Sequence, residues 1–103
     1  MKKLPEDRMV LELLPEFIDS WISDINEQFT SLYEARDQKN NDFYRFAHTL
    51  KGSGFQFGLD EVGEMGLEMM YKIKEGKWEE LAEYKQKLLD EFTQAKEFVE
   101  KNL

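Results

Sequence analysis

Cysteine is absent from this chain of 103 residues, and histidine occurs only once. Without cysteine the chain can form neither a disulfide framework nor a thiolate metal site, and one histidine leaves a closed structural zinc site without its usual ligands. No apolar run approaches the ~18 residues that a membrane-spanning helix needs. Residues 1–7 are largely charged and do not resemble a signal peptide. We therefore expect a soluble, cytoplasmic protein with no metal site and no contact with a membrane.

Basic residues are fewer than acidic ones. The chain has 14 lysine and arginine residues against 22 acidic ones, a formal net charge of −8, and this acidity argues against binding to a nucleic-acid backbone. Residues 40–58 are the exception, because Arg45 and Lys51 outnumber the single acidic residue there, Asp42. The only histidine, His48, lies inside this segment. The surroundings of His48 therefore favour an anionic group more than the rest of the chain does.

Helical periodicity is the only regular pattern in the sequence. Pro15 suits the first turn of a helix and is followed by an amphipathic stretch. Gly58 and Gly76 each suit the end of a helix, and the last helix is predicted to begin near Trp78. Residues 6–14 are predicted to form a separate short helix across one end of the others.

The arrangement of these segments predicts the fold class. Four long amphipathic segments joined by short turns favour an all-α fold, an antiparallel four-helix bundle with a short N-terminal capping helix. We expect a single domain over residues 1–103, with the bundle core at about residues 8–102. Gly54, Gly63 and Gly66 are predicted to allow two helices to pack closely.

The segment around His48 carries the clearest indication of function. At about 100° per residue on a helix, His48 lies nearly opposite the centre of an apolar face, and Tyr44, Lys51, Gly52 and Phe55 are its neighbours on the outer face. Glycine inside a helix costs about 1 kcal/mol relative to alanine, so Gly52 indicates that some group must approach the histidine closely. The apolar face consists of Phe43, Phe46, Ala47, Leu50, Gly54 and Phe57.

These residues resemble the phosphoacceptor motif of histidine-containing phosphotransfer (HPt) domains, the phosphocarriers of two-component relays. That motif runs His-x-x-Lys-Gly, followed by small residues and a further glycine. Chain length and helix pattern also suit a free-standing HPt domain. One position departs from the pattern, because Met70 stands where some members carry a glutamine or glutamate that hydrogen-bonds the histidine ring. The matching residues are His48, Lys51, Gly52, Ser53, Gly54 and Gly58.

The resemblance implies a role for each residue of the motif. His48 would be the phosphoacceptor and would react through Nε2. Lys51 would stabilise the charge of the phosphoryl group, and Gly52 would leave access to His48. Exposed aromatic residues beside a reactive group suit the centre of an interface. The expected contacts with a docking partner are Tyr44, Arg45, Phe55 and Gly58.

The resemblance also implies the partners. His48 would accept a phosphoryl group from the aspartate of a receiver domain, or of a hybrid sensor histidine kinase, and pass it to the aspartate of a response regulator. The receiver domain would supply Mg²⁺, and no cofactor is expected on this chain. The sequence has no Gly-x-x-x-x-Gly-Lys-Ser/Thr loop and no kinase signature. The expected protein is therefore a phosphocarrier rather than an enzyme, without ATP-dependent kinase activity of its own.

Two other interpretations stay open at the level of sequence. A helical adaptor would bind a receiver or kinase domain without carrying phosphate, and Met70 is the one feature that favours it. Haem or metal binding would use His48 together with Met65, Met69 or Met70 as a second ligand. These methionines also fit the apolar stripe of a helix, where methionine commonly fills irregular gaps in a core.

Overall fold

A computed structural model describes residues 8–37 and 42–101, and this part of the chain is helical with no β-strand. The all-α prediction is confirmed for these residues. Four helices have 15 residues or more, and a short helix and a 3₁₀ turn lie between them. The elements are α1 (Arg8–Thr30), α2 (Leu32–Asp37), α3 (Asp42–Gln56), α4 (Asp60–Lys74), the 3₁₀ turn (Trp78–Glu80) and α5 (Tyr84–Lys101).

The first helix is longer than predicted. α1 runs without interruption through Pro15, so the separate capping helix predicted for residues 6–14 is wrong; residues 6 and 7 lie outside the described range. A proline in a helix interior removes a backbone hydrogen bond and costs about 3 kcal/mol. Leu14 and Ile18, on either side of it, are fully buried. Burial of each such side chain is worth about 1.5–3 kcal/mol, which offsets that cost.

The last helix begins later than predicted. Trp78 belongs to a 3₁₀ turn, and α5 starts only at Tyr84. The backbone N–H of Leu81 donates to the Trp78 carbonyl at 3.1 Å, and that of Tyr84 donates to the Leu81 carbonyl at 3.0 Å. This tighter winding brings the indole of Trp78 to 6.1 Å from the ring of Phe43. Helical periodicity, which treats Trp78 as part of one continuous helix, does not predict this aromatic contact.

The buried apolar side chains form one cluster. Phe43 and Phe92 are its largest fully buried members. The ring centroid of Phe29 lies 5.2 Å from that of Phe43, and that of Trp21 lies 5.2 Å from that of Phe92. α1 packs mainly against α5, and α3 packs mainly against α4. Across the described ranges, no helix combines the length and apolar character needed to cross a membrane.

The contact between α3 and α4 is a contact of backbones. A Cβ added at Gly66 would lie 2.6 Å from the backbone nitrogen of Lys51 and 2.8 Å from the carbonyl oxygen of Ala47. A Cβ added at Gly54 would collide with the backbone of Gly63. The prediction that these glycines allow close packing is confirmed. The contact holds one side of α3 against α4 and leaves the opposite side of α3 facing outward.

Gly66→Ala should destabilise the protein by about 1–3 kcal/mol, because the new methyl group meets backbone atoms that cannot rotate away. Urea denaturation followed by circular dichroism measures the change. Glu64→Ala is the control in the same helix, since Glu64 is exposed and its loss should change stability by less than about 0.5 kcal/mol. Equal stability of the Gly66→Ala protein and wild type would contradict the close contact.

Candidate functional site

His48 lies near the middle of α3 and is exposed to solvent, as the spacing of the apolar residues predicts. The buried residues of α3 occupy the opposite side, which faces the core. Among the residues that the structure describes, none forms a hydrogen bond or an ion pair with the imidazole. Its ring nitrogens are therefore accessible to an incoming group. The buried residues of α3 are Phe43, Ala47, Leu50 and Gly54.

Gly52, one turn after His48, differs from the glycines of the helix contact. A Cβ added at Gly52 would meet no atom within 4 Å, so packing does not require a glycine there. Its backbone is not in the left-handed region, which in the described residues only Gly58 and Gly76 adopt. Neither a close contact nor an unusual conformation accounts for Gly52. What its missing side chain leaves is open space beside the imidazole.

Two basic residues flank His48 on α3. Lys51 is half-buried, and its backbone nitrogen lies against Gly66 of α4. Its ammonium group forms no ion pair within the described part of the chain. Arg45 is exposed, and its guanidinium lies 3.7 Å from a carboxylate oxygen of Asp42. An exposed pair at this distance contributes little to stability. Because Lys51 has no ion pair within residues 8–37 and 42–101, its ammonium group can turn to an anion at His48.

Two aromatic residues border the same face. Phe55 is 46% exposed, and its ring lies so close to Gly63 of α4 that a Cβ there would approach the ring to 2.8 Å. Tyr44 is half-buried, and the ammonium nitrogen of Lys74 lies 5.6 Å from its ring centroid. The contribution of Lys74 was missed by sequence reasoning. Lys74 belongs to another helix, and no local spacing pattern links it to Tyr44.

Gly58 has a structural explanation. It is buried and has a φ of 76°, a conformation that glycine adopts without strain. Its backbone N–H donates to the carbonyl of Phe55 at 3.3 Å. The prediction that it follows the end of the histidine helix is confirmed. Because the residue is buried, its predicted contact with a partner would have to be indirect, through the turn that it forms.

Met70 of α4, at the position of a ring-orienting partner, and the nearby Glu68 both make contacts away from His48. Met70 is 9% exposed and belongs to the hydrophobic cluster. The carboxylate of Glu68 accepts a hydrogen bond of 2.8 Å from the hydroxyl of Tyr84 on α5. Burial of Tyr84, with that hydrogen bond, raises the pKa of the phenol. Neither α4 side chain therefore serves as a polar partner for His48.

The described residues offer no metal-binding cluster. Over residues 8–37 and 42–101, no three histidine, cysteine, aspartate or glutamate side chains come together in a way that could hold an ion. Met69 and Met70 are buried, and Met65 packs against the same cluster. The three methionines thus have a packing role that needs no ligand.

Comparison of the chain with protein-family models, with curated proteins and with solved structures gives no match. An exposed neutral imidazole is a competent nucleophile near pH 7 without an added base. One turn away is the ammonium group of Lys51, which no carboxylate of the described residues pairs with, and beside it is open space. This arrangement suits the acceptance of an anionic electrophile.

Gly52→Ala should stabilise the isolated protein by about 0.5–1 kcal/mol, because alanine is the better helix former and its methyl group enters empty space. Urea denaturation measures the effect. Gly76→Ala is the matched control. That site is equally open, but its φ of 74° makes alanine unfavourable by roughly 1–2 kcal/mol. A destabilised Gly52→Ala protein would show that the position has a structural requirement for glycine.

Proposed function

We propose that this protein is a histidine phosphotransfer protein. His48 accepts a phosphoryl group from the aspartate of a receiver domain, including that of a hybrid sensor histidine kinase, and passes it to the aspartate of a response regulator. The receiver holds the Mg²⁺, and this chain carries no cofactor and no ATP-dependent kinase activity of its own. The protein acts in the cytoplasm, and its four long helices form an antiparallel four-helix bundle.

The main support is the position of Gly52, one helical turn from the exposed His48. Neither close packing nor a positive φ requires a glycine there. Gly52 gives up about 1 kcal/mol of helix stability, yet a Cβ added there would meet no atom within 4 Å. A partner that brings a reacting group to His48 gives this opening a use, because a side chain at position 52 would stand in its approach. The opening supports reaction at His48 over a plain surface role.

The chemistry requires little from the protein besides position and charge. The lone pair of Nε2 of His48 forms a nitrogen–phosphorus bond while the bond between phosphorus and the aspartate oxygen breaks. The aspartate leaves as a carboxylate. The proton on Nδ1 stays on the ring or passes to solvent, which reaches the exposed side chain. In the second transfer, the carboxylate of the response regulator attacks phosphorus and the imidazole leaves.

The neighbours of His48 divide the remaining tasks. Lys51 stabilises charge on the phosphoryl oxygens, and the absence of an ion pair to it in the described residues supports this role. Phe55 and Tyr44 offer apolar area for the docking of a receiver. Arg45 can exchange its weak contact with Asp42 for an acidic group of the partner.

A second candidate is a helical adaptor that binds a receiver or kinase domain without carrying phosphate. The observation in its favour is Met70, which is buried in the hydrophobic cluster and leaves the ring of His48 without a hydrogen-bonding partner from that position. A freely rotating ring spends less time in a reactive orientation. Docking would not need an oriented ring.

His48→Gln should abolish phosphate acceptance and leave the fold intact, because an exposed side chain without partners changes stability by less than about 0.5 kcal/mol. The experiment incubates wild type and mutant with phosphorylated receiver domains and measures the label that each protein retains. Circular dichroism and thermal unfolding are the controls for fold. A mutant that still accepts label would show that another residue is the acceptor.

The same incubation distinguishes the adaptor. A receiver that binds wild type in a direct binding assay but transfers no label to it would support the adaptor and contradict phosphotransfer. Binding and transfer must be measured on the same receiver, since partners differ in affinity. Acid-labile, alkali-stable label on wild type, absent from His48→Gln, would exclude the adaptor.

Lys51→Ala should slow transfer in both directions by roughly tenfold and leave the affinity for the receiver nearly unchanged. This is less than the ~10²–10³ for a buried donor, because solvent screens a partly exposed charge. Single-turnover kinetics give the rate, and titration of the unphosphorylated receiver gives the affinity. Weaker binding with an unchanged rate of transfer would instead assign Lys51 to docking.

A further inference from the structure

Lys74, in the last turn of α4, lies over a neighbour of His48. Its ammonium nitrogen is 5.6 Å from the centroid of the Tyr44 ring, within the range of a cation–π contact. Tyr44 is one helical turn before His48, so the two side chains share a face of α3. Tyr44, Arg45, Ile73 and Lys74 line one shallow depression beside that face. Contact between the helices thus brings a cation of α4 to the border of the histidine face.

The charge of Lys74 is not neutralised by a carboxylate. Within the described residues it forms no ion pair, although acidic residues outnumber basic ones in the chain, 22 to 14. The lysines near it behave differently: Lys72 lies 3.0 Å from Glu80 and Lys77 lies 2.9 Å from Glu75. An aromatic ring holds a cation without cancelling its charge. No carboxylate of the described residues therefore competes for the ammonium group of Lys74, which lies against the ring of Tyr44.

We propose that Lys74 is a second cation for the phosphoryl group at His48, and that Tyr44 is the positioning residue that holds it there. The inference rests on the proposed function and extends the site from α3 to α4. Lys51 follows His48 by one turn, and Tyr44 with Lys74 precedes it by one turn. The face of α3 that carries His48 thus has one ammonium group on the turn after it and another against the tyrosine ring of the turn before it, and two cations suit a phosphoryl group that carries two negative charges.

The cation–π contact suits a group that must move. A lysine in a carboxylate ion pair would have to break that pair before it could turn to a phosphoryl oxygen. The attraction of an exposed ammonium group to a tyrosine ring is weak by comparison with its attraction to a phosphate dianion. Lys74 can therefore exchange the ring of Tyr44 for the phosphoryl oxygens as they arrive.

The test uses a small phosphodonor, so that docking of a protein partner does not enter. Phosphoramidate is an anion whose phosphorus is attacked by the imidazole nitrogen. The new nitrogen–phosphorus bond forms as the donor's phosphorus–nitrogen bond breaks, and the donor nitrogen leaves as ammonia. The initial rate of labelling at His48 is measured by intact mass and peptide mapping, at low salt and again in about 1 M salt, where charge is screened within roughly 3 Å.

Lys74→Met should slow labelling of His48 by about three- to tenfold at low salt, and high salt should reduce this difference. Lys87→Met is the matched control. Lys87 also lies over a tyrosine, with its ammonium 5.5 Å from the ring of Tyr84, but on the groove between α4 and α5. The control makes the same change in net charge and should label within about twofold of wild type.

Tyr44→Leu tests the positioning role, since it removes the ring that holds Lys74 and keeps apolar volume at a half-buried position. It should slow labelling less than Lys74→Met does. The double variant should be no slower than Lys74→Met alone, because both changes act on one interaction. Additive effects of the two changes would overturn the role of Tyr44. Lys74→Gln should match Lys74→Met, which guards against an effect of the methionine itself.

Two results would overturn the inference and leave the proposed function standing. One is a Lys74→Met protein that labels His48 at the wild-type rate at low salt. The other is an equal loss in Lys87→Met, which would attribute the effect to net charge. Failure of the proposed function is visible separately in wild type, as absence of label on His48 from phosphoramidate and from every phosphorylated receiver. That result would overturn the inference as well.

Discussion

The backbone contact between α3 and α4 is the constraint on which the site depends. Because Gly66 has no side chain, the α3 backbone at Ala47 and Lys51 packs directly against it. Farther along the two helices, Gly54 packs against the backbone of Gly63. With helices this close, the side of α3 that faces α4 has no room for larger side chains. The helix is thereby fixed in rotation, and its remaining outer side presents the imidazole of His48 to solvent. The same proximity brings side chains of α4 to the edge of the histidine face.

Charge and space around His48 follow from this arrangement. α3 and α4, both within the described residues, contain four glycines. Gly52 is the only one of them at which an added Cβ would meet open space. Lys51 on α3 and Lys74 on α4 both lack a carboxylate partner there, in a chain whose net charge is −8. Open space and uncompensated positive charge thus occur together on the face of α3 that carries His48. Stability alone would favour a side chain at position 52 and ion pairs at both lysines.

The features predicted from the sequence are those set by local periodicity. The exposure of His48 follows from its angle to the apolar residues of one helix. The start of the first long helix was mispredicted at Pro15, because burial of residues on both sides outweighs the local cost of proline. Local periodicity places Trp78 in the last helix, because its contact with Phe43 joins distant parts of the chain and leaves no local pattern. Lys74 was missed for the same reason, since its contact with Tyr44 exists only once the helices have packed.

Gly52 keeps an approach to His48 open at the expense of helix stability, and Gly52→Gln separates these two effects. Two quantities are measured on the variant and on wild type: the free energy of unfolding, and the single-turnover rate of phosphoryl transfer from a phosphorylated receiver. We expect the Gly52→Gln protein to be as stable as wild type or more stable, by several tenths of a kcal/mol. We expect it to transfer poorly, because the new side chain stands beside the imidazole. Normal transfer by a stable Gly52→Gln protein would contradict it.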